Sequence, residues 1–149
     1  MPYKKVDLAV EAFNQLNYPL VVVGIGNEES KLKSLSRNNI RFVGKVSDNE
    51  LAKYYKNCKA LIFPQEEDFG LVAVEAQFYG KPVIAYNAGG ALDIVINGKT
   101  GVFFNEQNWQ ALYDAVKRFE KMSFDSKIIV HNAQRFSKQN FWKKFKEVI

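Results

Sequence analysis

Apolar positions along this chain follow two patterns that alternate. Short continuous apolar runs stand at Leu20–Val23, Ile40–Val43, Ala60–Phe63, Pro82–Ala85 and Gly101–Phe104, with Gly24, Gly44, Pro64, Asn87 and Asn105 after them. Runs of this length, rich in β-branched and aromatic residues, are those of buried strands. Between them the apolar spacing changes to three and four. Val6, Ala9, Val10 and Phe13 share one face of Val6–Leu16, with Asp7, Glu11 and Asn14 between them, which predicts a helix. Glu28–Ser36 predicts a second. A third carries Leu51, Tyr54 and Tyr55 and ends near Asn57, with Ser47 or Asp48 as its cap. Leu71–Tyr79 is a helix stopped by Gly80, with Pro82 just beyond. Ala91–Ile96 is short, and Trp109–Lys121 is amphipathic through Leu112, Ala115, Val116 and Phe119. Asp125–Phe136 and Gln139–Val148 close the series. Strands alternating with helices predict an α/β fold with a parallel sheet flanked by helices. No internal repeat or linker interrupts the pattern, and 149 residues suit a single domain, 1–149.

Composition narrows the function classes. An apolar content of 47% is enough for a core and too high for disorder. No apolar run reaches the roughly 18 residues a membrane helix needs. The opening MPYKKVDLAV has no apolar stretch with a cleavage site after it, so the default compartment is cytoplasmic. Cys58 is the one cysteine, which excludes an internal disulfide and a cysteine metal cluster; beside its apolar run it reads as a core or near-core residue. The net charge of +5 suits a phosphate-bearing ligand or an anionic membrane face, as it suits many other proteins. No RNP-like aromatic strand, zinc-finger spacing or arginine-rich run points to nucleic acid. His131, the one histidine, lies in a polar helical stretch and reads as an exposed structural residue.

The candidate chemistry lies between Phe63 and Gly90. Glu66, Glu67 and Asp68 crowd the loop before the helix at Leu71, a pattern that also suits a solvated turn or a helix cap. Glu75 is the one charged side chain between Phe69 and Gly80, among Val72, Ala73, Val74, Ala76 and Phe78. A helix apolar almost all round is expected to be buried, and a buried carboxylate must be paired or hydrogen-bonded. Glu75 is then either a core glutamate holding a backbone N–H or a lysine, or a glutamate lining a polar ligand cleft.

Glu67 and Glu75 stand eight positions apart, with Phe69–Gly70–Leu71 between them and Gly80–Lys81–Pro82–Val83–Ile84–Ala85 after them. This is similar to the E-x(7)-E signature of retaining GT-B glycosyltransferases of family 4. Through Gly89–Gly90 and on to Gly98–Lys99–Thr100–Gly101, the string resembles the nucleotide-sugar-binding, C-terminal domain of that family. The resemblance covers the chain from Pro2 to Ile149 and reaches no acceptor-binding domain. It implies a Rossmann-like domain, the C-terminal half of a GT-B fold, that transfers a sugar from a nucleotide donor with retention and without an essential metal or other cofactor.

The resemblance also implies roles. Glu67 matches the catalytic glutamate that lies against the transferred sugar, and Glu75 the glutamate that binds the ribose. Lys4, in Tyr3–Lys4–Lys5–Val6–Asp7, matches the lysine that holds the pyrophosphate, with Lys5 equally eligible; the arginine of the family would fall before Met1. Phe69, Gly70 and Leu71 match the helix start whose free N–H groups face sugar and phosphates. Lys45 and Val46 match the segment that meets the base. Asp68 departs from the small glycine common in the family, which implies a different loop shape. The wording EEDFG and YKKVDLAVEAF leans toward mannosyltransferase-like members, with GDP-mannose as donor. Against the enzyme reading stands a non-catalytic nucleotide-sugar-binding subunit that works with a separate acceptor domain. An epimerase on the same scaffold would want a histidine near the site, and His131 is far along the chain.

Two expectations concern the ends. In the doubly wound order a first strand lies between the second and the fourth. Its position precedes this chain, so Leu20–Val23 and Ala60–Phe63 are expected to lack their shared neighbour. They would then pair directly, leave a gap, or accept a strand from another chain by self-association. At the other end Phe141, Phe145 and Val148 form a stripe beside Trp142 and Ile149, among Lys138, Lys143, Lys144 and Lys146. That helix either packs onto the domain or makes a peripheral contact with a membrane surface.

Overall fold

The computed structural model describes residues 4–140. Its elements are α1 (Val6–Leu16), β1 (Leu20–Val23), α2 (Glu29–Leu35), β2 (Ile40–Gly44), α3 (Asp48–Asn57), β3 (Leu61–Phe63), α4 (Leu71–Phe78), β4 (Val83–Tyr86), α5 (Ala91–Ile94), β5 (Gly101–Phe104), α6 (Trp109–Glu120) and α7 (Ser126–Gln134). The helix read at Gln139–Val148, with its stripe of Phe141, Phe145 and Val148, falls almost wholly outside the described residues.

Every strand pairing is parallel, as the strand–helix alternation requires. Leu20 stands opposite Ile40, Leu61 opposite Val83, and Val83 opposite Gly101. The strands form two sheets, β1-β2 and β3-β4-β5. Among the described residues no ladder joins β1 to β3, so of the arrangements open from the sequence the direct pairing does not occur. The Leu20 N–H turns toward β2 and bonds the Asn39 carbonyl. Alternation along the strand therefore aims the Val21 and Val23 N–H groups at the edge that no ladder among the described residues joins.

What unites the sheets is a core on one face. Val10 and Phe13 of α1 and Leu112 and Val116 of α6 pack with Ile84 and Phe104, and Leu20, Val22 and Phe42 join the same cluster. The opposite face carries a second core, in which Phe63, Val83 and Ala85 meet Tyr55 of α3, Ala73 and Ala76 of α4, and Ile94 of α5. No β1 or β2 side chain belongs to that second cluster, and Val21 and Val23 stay 39% and 38% exposed. Helix starts are set locally. Ser47 and Glu50 form a reciprocal capping box on α3, Asn108 caps α6 and Asp125 caps α7.

The helix α4 corrects an expectation. It is not buried all round: Leu71, Val72, Glu75, Phe78 and Tyr79 form an exposed stripe, and Leu71 is 63% exposed. The buried polar side chain of α4 is instead Gln77, at 0% exposure. Its Nε2 donates to the Ile94 carbonyl and to Thr100 Oγ1, both at 3.3 Å. Asn132 Nδ2 donates to Gln77 Oε1 at 2.7 Å and to the Ile94 carbonyl at 2.6 Å, and Arg135 donates to Asn132 Oδ1 at 2.7 Å. The network ties α7 to α4 and to the end of α5. Asn132→Leu leaves the buried Gln77 Oε1 without this partner, and an unsatisfied buried group costs about 1–3 kcal/mol. The expected result is a lower urea midpoint at an unchanged slope; an unmoved midpoint would show that the network adds nothing to stability.

Candidate functional site

The loop between β3 and α4 carries the candidate site. It leaves the sheet at Phe63, and Gln107 Nε2 donates to the Pro64 carbonyl at 3.1 Å. Gly70 ends it in the left-handed region at φ 76°, which a side chain rarely adopts. A Cβ at Gly70 would stand 3.1 Å from the Phe63 ring and 3.3 Å from Ile94. A second loop, Gly89–Gly90, braces the first from the end of β4. The Gly90 N–H donates to the Glu67 carbonyl at 2.6 Å. A Cβ on Gly90 would lie 2.6 Å from the Phe69 carbonyl oxygen and 2.7 Å from that of Asp68. The two glycines therefore serve a close approach of backbone to backbone that presents Glu67.

The Glu67 carboxylate points to the start of α1. Lys4 Nζ forms an ion pair with Oε1, and Gln65 Nε2 donates to the same oxygen at 3.3 Å. The two charged side chains are 34% and 18% exposed, so solvent screens the pair in part. Lys4 and Lys5 were equally eligible on sequence, and it is Lys4 that reaches the glutamate. Lys5 instead forms the N-cap of α1 in the left-handed region, at φ 53°. Gln65, buried beside these acids, was not singled out from the sequence, although its place in the same loop was a signal.

At the start of α4 no side chain caps the helix. Its first N–H groups add partial positive charge at the same end as Glu67. Phe69 is exposed and meets the Phe136 ring edge to face at 6.2 Å, and Leu71 stands exposed in the first turn.

Glu75 lies on the exposed stripe, four residues and so about 6 Å along the axis from the first residue of α4. The expectation of a buried carboxylate is thus overturned, because the small residues Ala73 and Ala76 face the core and turn Glu75 outward. It is steadied by a hydrogen bond: Tyr55 Oη donates to Oε2 at 3.0 Å. The Tyr55 ring stacks on Tyr79 with centroids 5.3 Å apart. Burial first, and then the bond to Glu75, hold the Tyr55 phenol well above the usual tyrosine range. Lys45 is exposed and Val46 half-buried where β2 passes into α3. Among the described residues no hydrogen bond or ion pair links either one to Lys4, Glu67 or Glu75.

Lys4, Glu67 and Gln65 thus meet in the loop that leads into α4, and Glu75, held by Tyr55 of α3, lies one turn along that helix. Carboxylates so placed can accept from sugar hydroxyls, while the lysine and helix end can face phosphate. Among the described residues no three His, Cys, Asp or Glu side chains group as metal ligands, and no helix is long and apolar enough to cross a membrane.

The chain is similar to known glycosyltransferases. An uncharacterized glycosyltransferase of Methanocaldococcus jannaschii is 31% identical over 149 residues, covering 97% of this chain and 42% of that protein. An alpha-1,3/1,6-mannosyltransferase of Dictyostelium discoideum is 32% identical over 113 residues, covering 72% of this chain and 26% of its own length. Among solved structures, the Anabaena protein HepE in complex with UDP-glucose superposes with a TM-score of 0.72 at 25% identity, over 93% of this chain and 42% of that one. This chain therefore spans about two fifths of the first of these relatives. The family model described as glycosyl transferases group 1 matches residues 1–138, and with the loop and helix that carry Glu67 and Glu75 inside that match, the chain belongs to this family.

Proposed function

We propose that this chain is the donor-binding half of a retaining glycosyltransferase, which transfers a hexose from a nucleotide sugar to a glycan or lipid-linked acceptor. The observation that carries the reading is the placement of Glu67 just before α4 and of Glu75 one turn along it, the first paired with Lys4 and the second exposed and held by Tyr55. In this reading Glu67 lies against the transferred sugar and Glu75 accepts from the ribose. Lys4 and the N–H groups of Gly70 and Leu71 face the phosphates, which gain charge as the leaving group departs. Phe69 borders the sugar, and Lys45 and Val46 meet the base. Mannose, carried by GDP, is the first candidate, supported by the EEDFG wording and by the mannosyltransferase among the relatives. Transfer proceeds without an essential metal. The chain spans about two fifths of the Methanocaldococcus jannaschii relative, and in this reading the acceptor site lies in another domain or polypeptide.

Calorimetry with GDP, UDP, GDP-mannose and UDP-glucose tests the reading. One of these ligands is expected to bind. Glu75→Gln should then weaken it roughly tenfold, since a hydrogen bond to a charged group contributes about 1.5–3 kcal/mol. Glu106→Gln, on the exposed loop after β5, should leave it unchanged. Absence of binding to a folded sample at millimolar ligand would reject the reading.

A further inference from the structure

We propose that Tyr55 is a positioning residue for Glu75, presetting its carboxylate to take the vicinal hydroxyls of a nucleotide's ribose, so that the pair distinguishes ribose from deoxyribose. The inference rests on the proposed function and adds a residue to it that lies on a different helix, 20 positions earlier in the chain. An exposed glutamate ordinarily samples several rotamers, and a ligand must freeze one of them. Here the choice is made in advance. Tyr55 is 7% exposed and rooted in the second core, and its hydroxyl rises to Glu75 Oε2 at 3.0 Å. The phenol cannot swing aside, because its ring stacks at 15° on Tyr79, which sits one turn beyond Glu75 on the same exposed stripe.

The bond also leaves the carboxylate with the capacity the task needs. An ionised carboxylate accepts at about four lone-pair sites. Tyr55 takes one, and among the described residues no other donor is bonded to Glu75. Both oxygens thus remain able to accept from two adjacent hydroxyls. Burial first, and then Glu75 itself, hold the phenol above the usual tyrosine range, so it donates near neutral pH. A purely structural role fits poorly. The hydrogen bond ends on an exposed side chain, so Tyr55→Phe keeps the ring stack and the core packing and orphans no buried group.

Calorimetry on the whole chain tests this with GDP and UDP and their 2′,3′-dideoxy forms. The wild-type chain should prefer the ribose form of its nucleotide by at least tenfold. Tyr55→Phe should lower affinity for that form about tenfold, leave the dideoxy form unchanged, and keep the melting temperature. Tyr55→Phe combined with Glu75→Gln should be no weaker than Glu75→Gln alone, because the two act in series. Equal loss for ribose and dideoxy forms, or no loss for either, overturns the role of Tyr55 while leaving the proposed function in place. A wild-type chain that binds none of the four nucleotides overturns the proposed function, and this inference with it.

Discussion

Gly101→Ala is expected to cost about 3 kcal/mol of stability, the largest loss from adding one methyl group to this chain. Gly101 pairs with Val83 where β5 meets β4. A Cβ there would overlap the Val83 carbonyl oxygen and stand 2.9 Å from its carbon and 3.0 Å from its nitrogen. All three are backbone atoms of the middle strand of the larger sheet, so no side chain can rotate away. Either the β4–β5 ladder opens or β5 shifts off the core that Val102 and Phe104 fill. Gly98→Ala is the control. Gly98 has φ +81° and open space around it, so the methyl meets nothing and the cost is that of the left-handed backbone, about 1–2 kcal/mol. Urea unfolding of both variants measures the difference. Equal midpoints would show that the clash at Gly101 costs no more than the left-handed backbone at Gly98.

Gly90→Ala is expected to have the largest effect on ligand binding, a ten- to hundredfold loss of affinity for the nucleotide sugar. Gly90 lies at φ −63°, where any residue is comfortable, so the effect is steric. The new methyl would meet the carbonyl oxygens of Asp68 and Phe69 at 2.7 and 2.6 Å. The loop must yield, and Glu67 moves with it because its carbonyl accepts the Gly90 N–H. A displaced Glu67 forfeits a charge-assisted hydrogen bond of about 1.5–3 kcal/mol to the sugar. Glu75 and Tyr55 lie on elements that this clash does not touch. Affinity for GDP-mannose should therefore fall more than affinity for GDP. A parallel fall in both, read by calorimetry, would show that the Gly89–Gly90 loop does not position the sugar-facing glutamate.

The elements of this fold were legible because their signals are local. Apolar spacing placed α1 at Val6–Leu16, β1 at Leu20–Val23 and β5 at Gly101–Phe104, each as observed. The motif around Glu67 and Glu75 was legible for the same reason, since its spacing lies within one loop and one helix. The orientation of α4 was not. Its residues are apolar almost all round, so periodicity names no outer face, and the lone charge suggested a buried carboxylate. The buried face carries Ala73, Ala76 and Gln77, and Thr100 and Asn132, the partners of Gln77, lie 23 and 55 positions away. Tyr55 was hidden likewise, as one of two adjacent tyrosines of which only Tyr55 faces Glu75.

Sequence alone determined the alternation of strands and helices, the parallel sense of the sheet and the family to which the motifs belong, because each depends on neighbours within a turn or a loop. Tertiary structure alone decided the division into two sheets, the choice of Lys4 over Lys5, the exposure of Glu75 and the brace of Gly90 against its loop. These depend on which distant surfaces meet once both cores have closed, and the pattern of a single segment carries no record of what will pack against it.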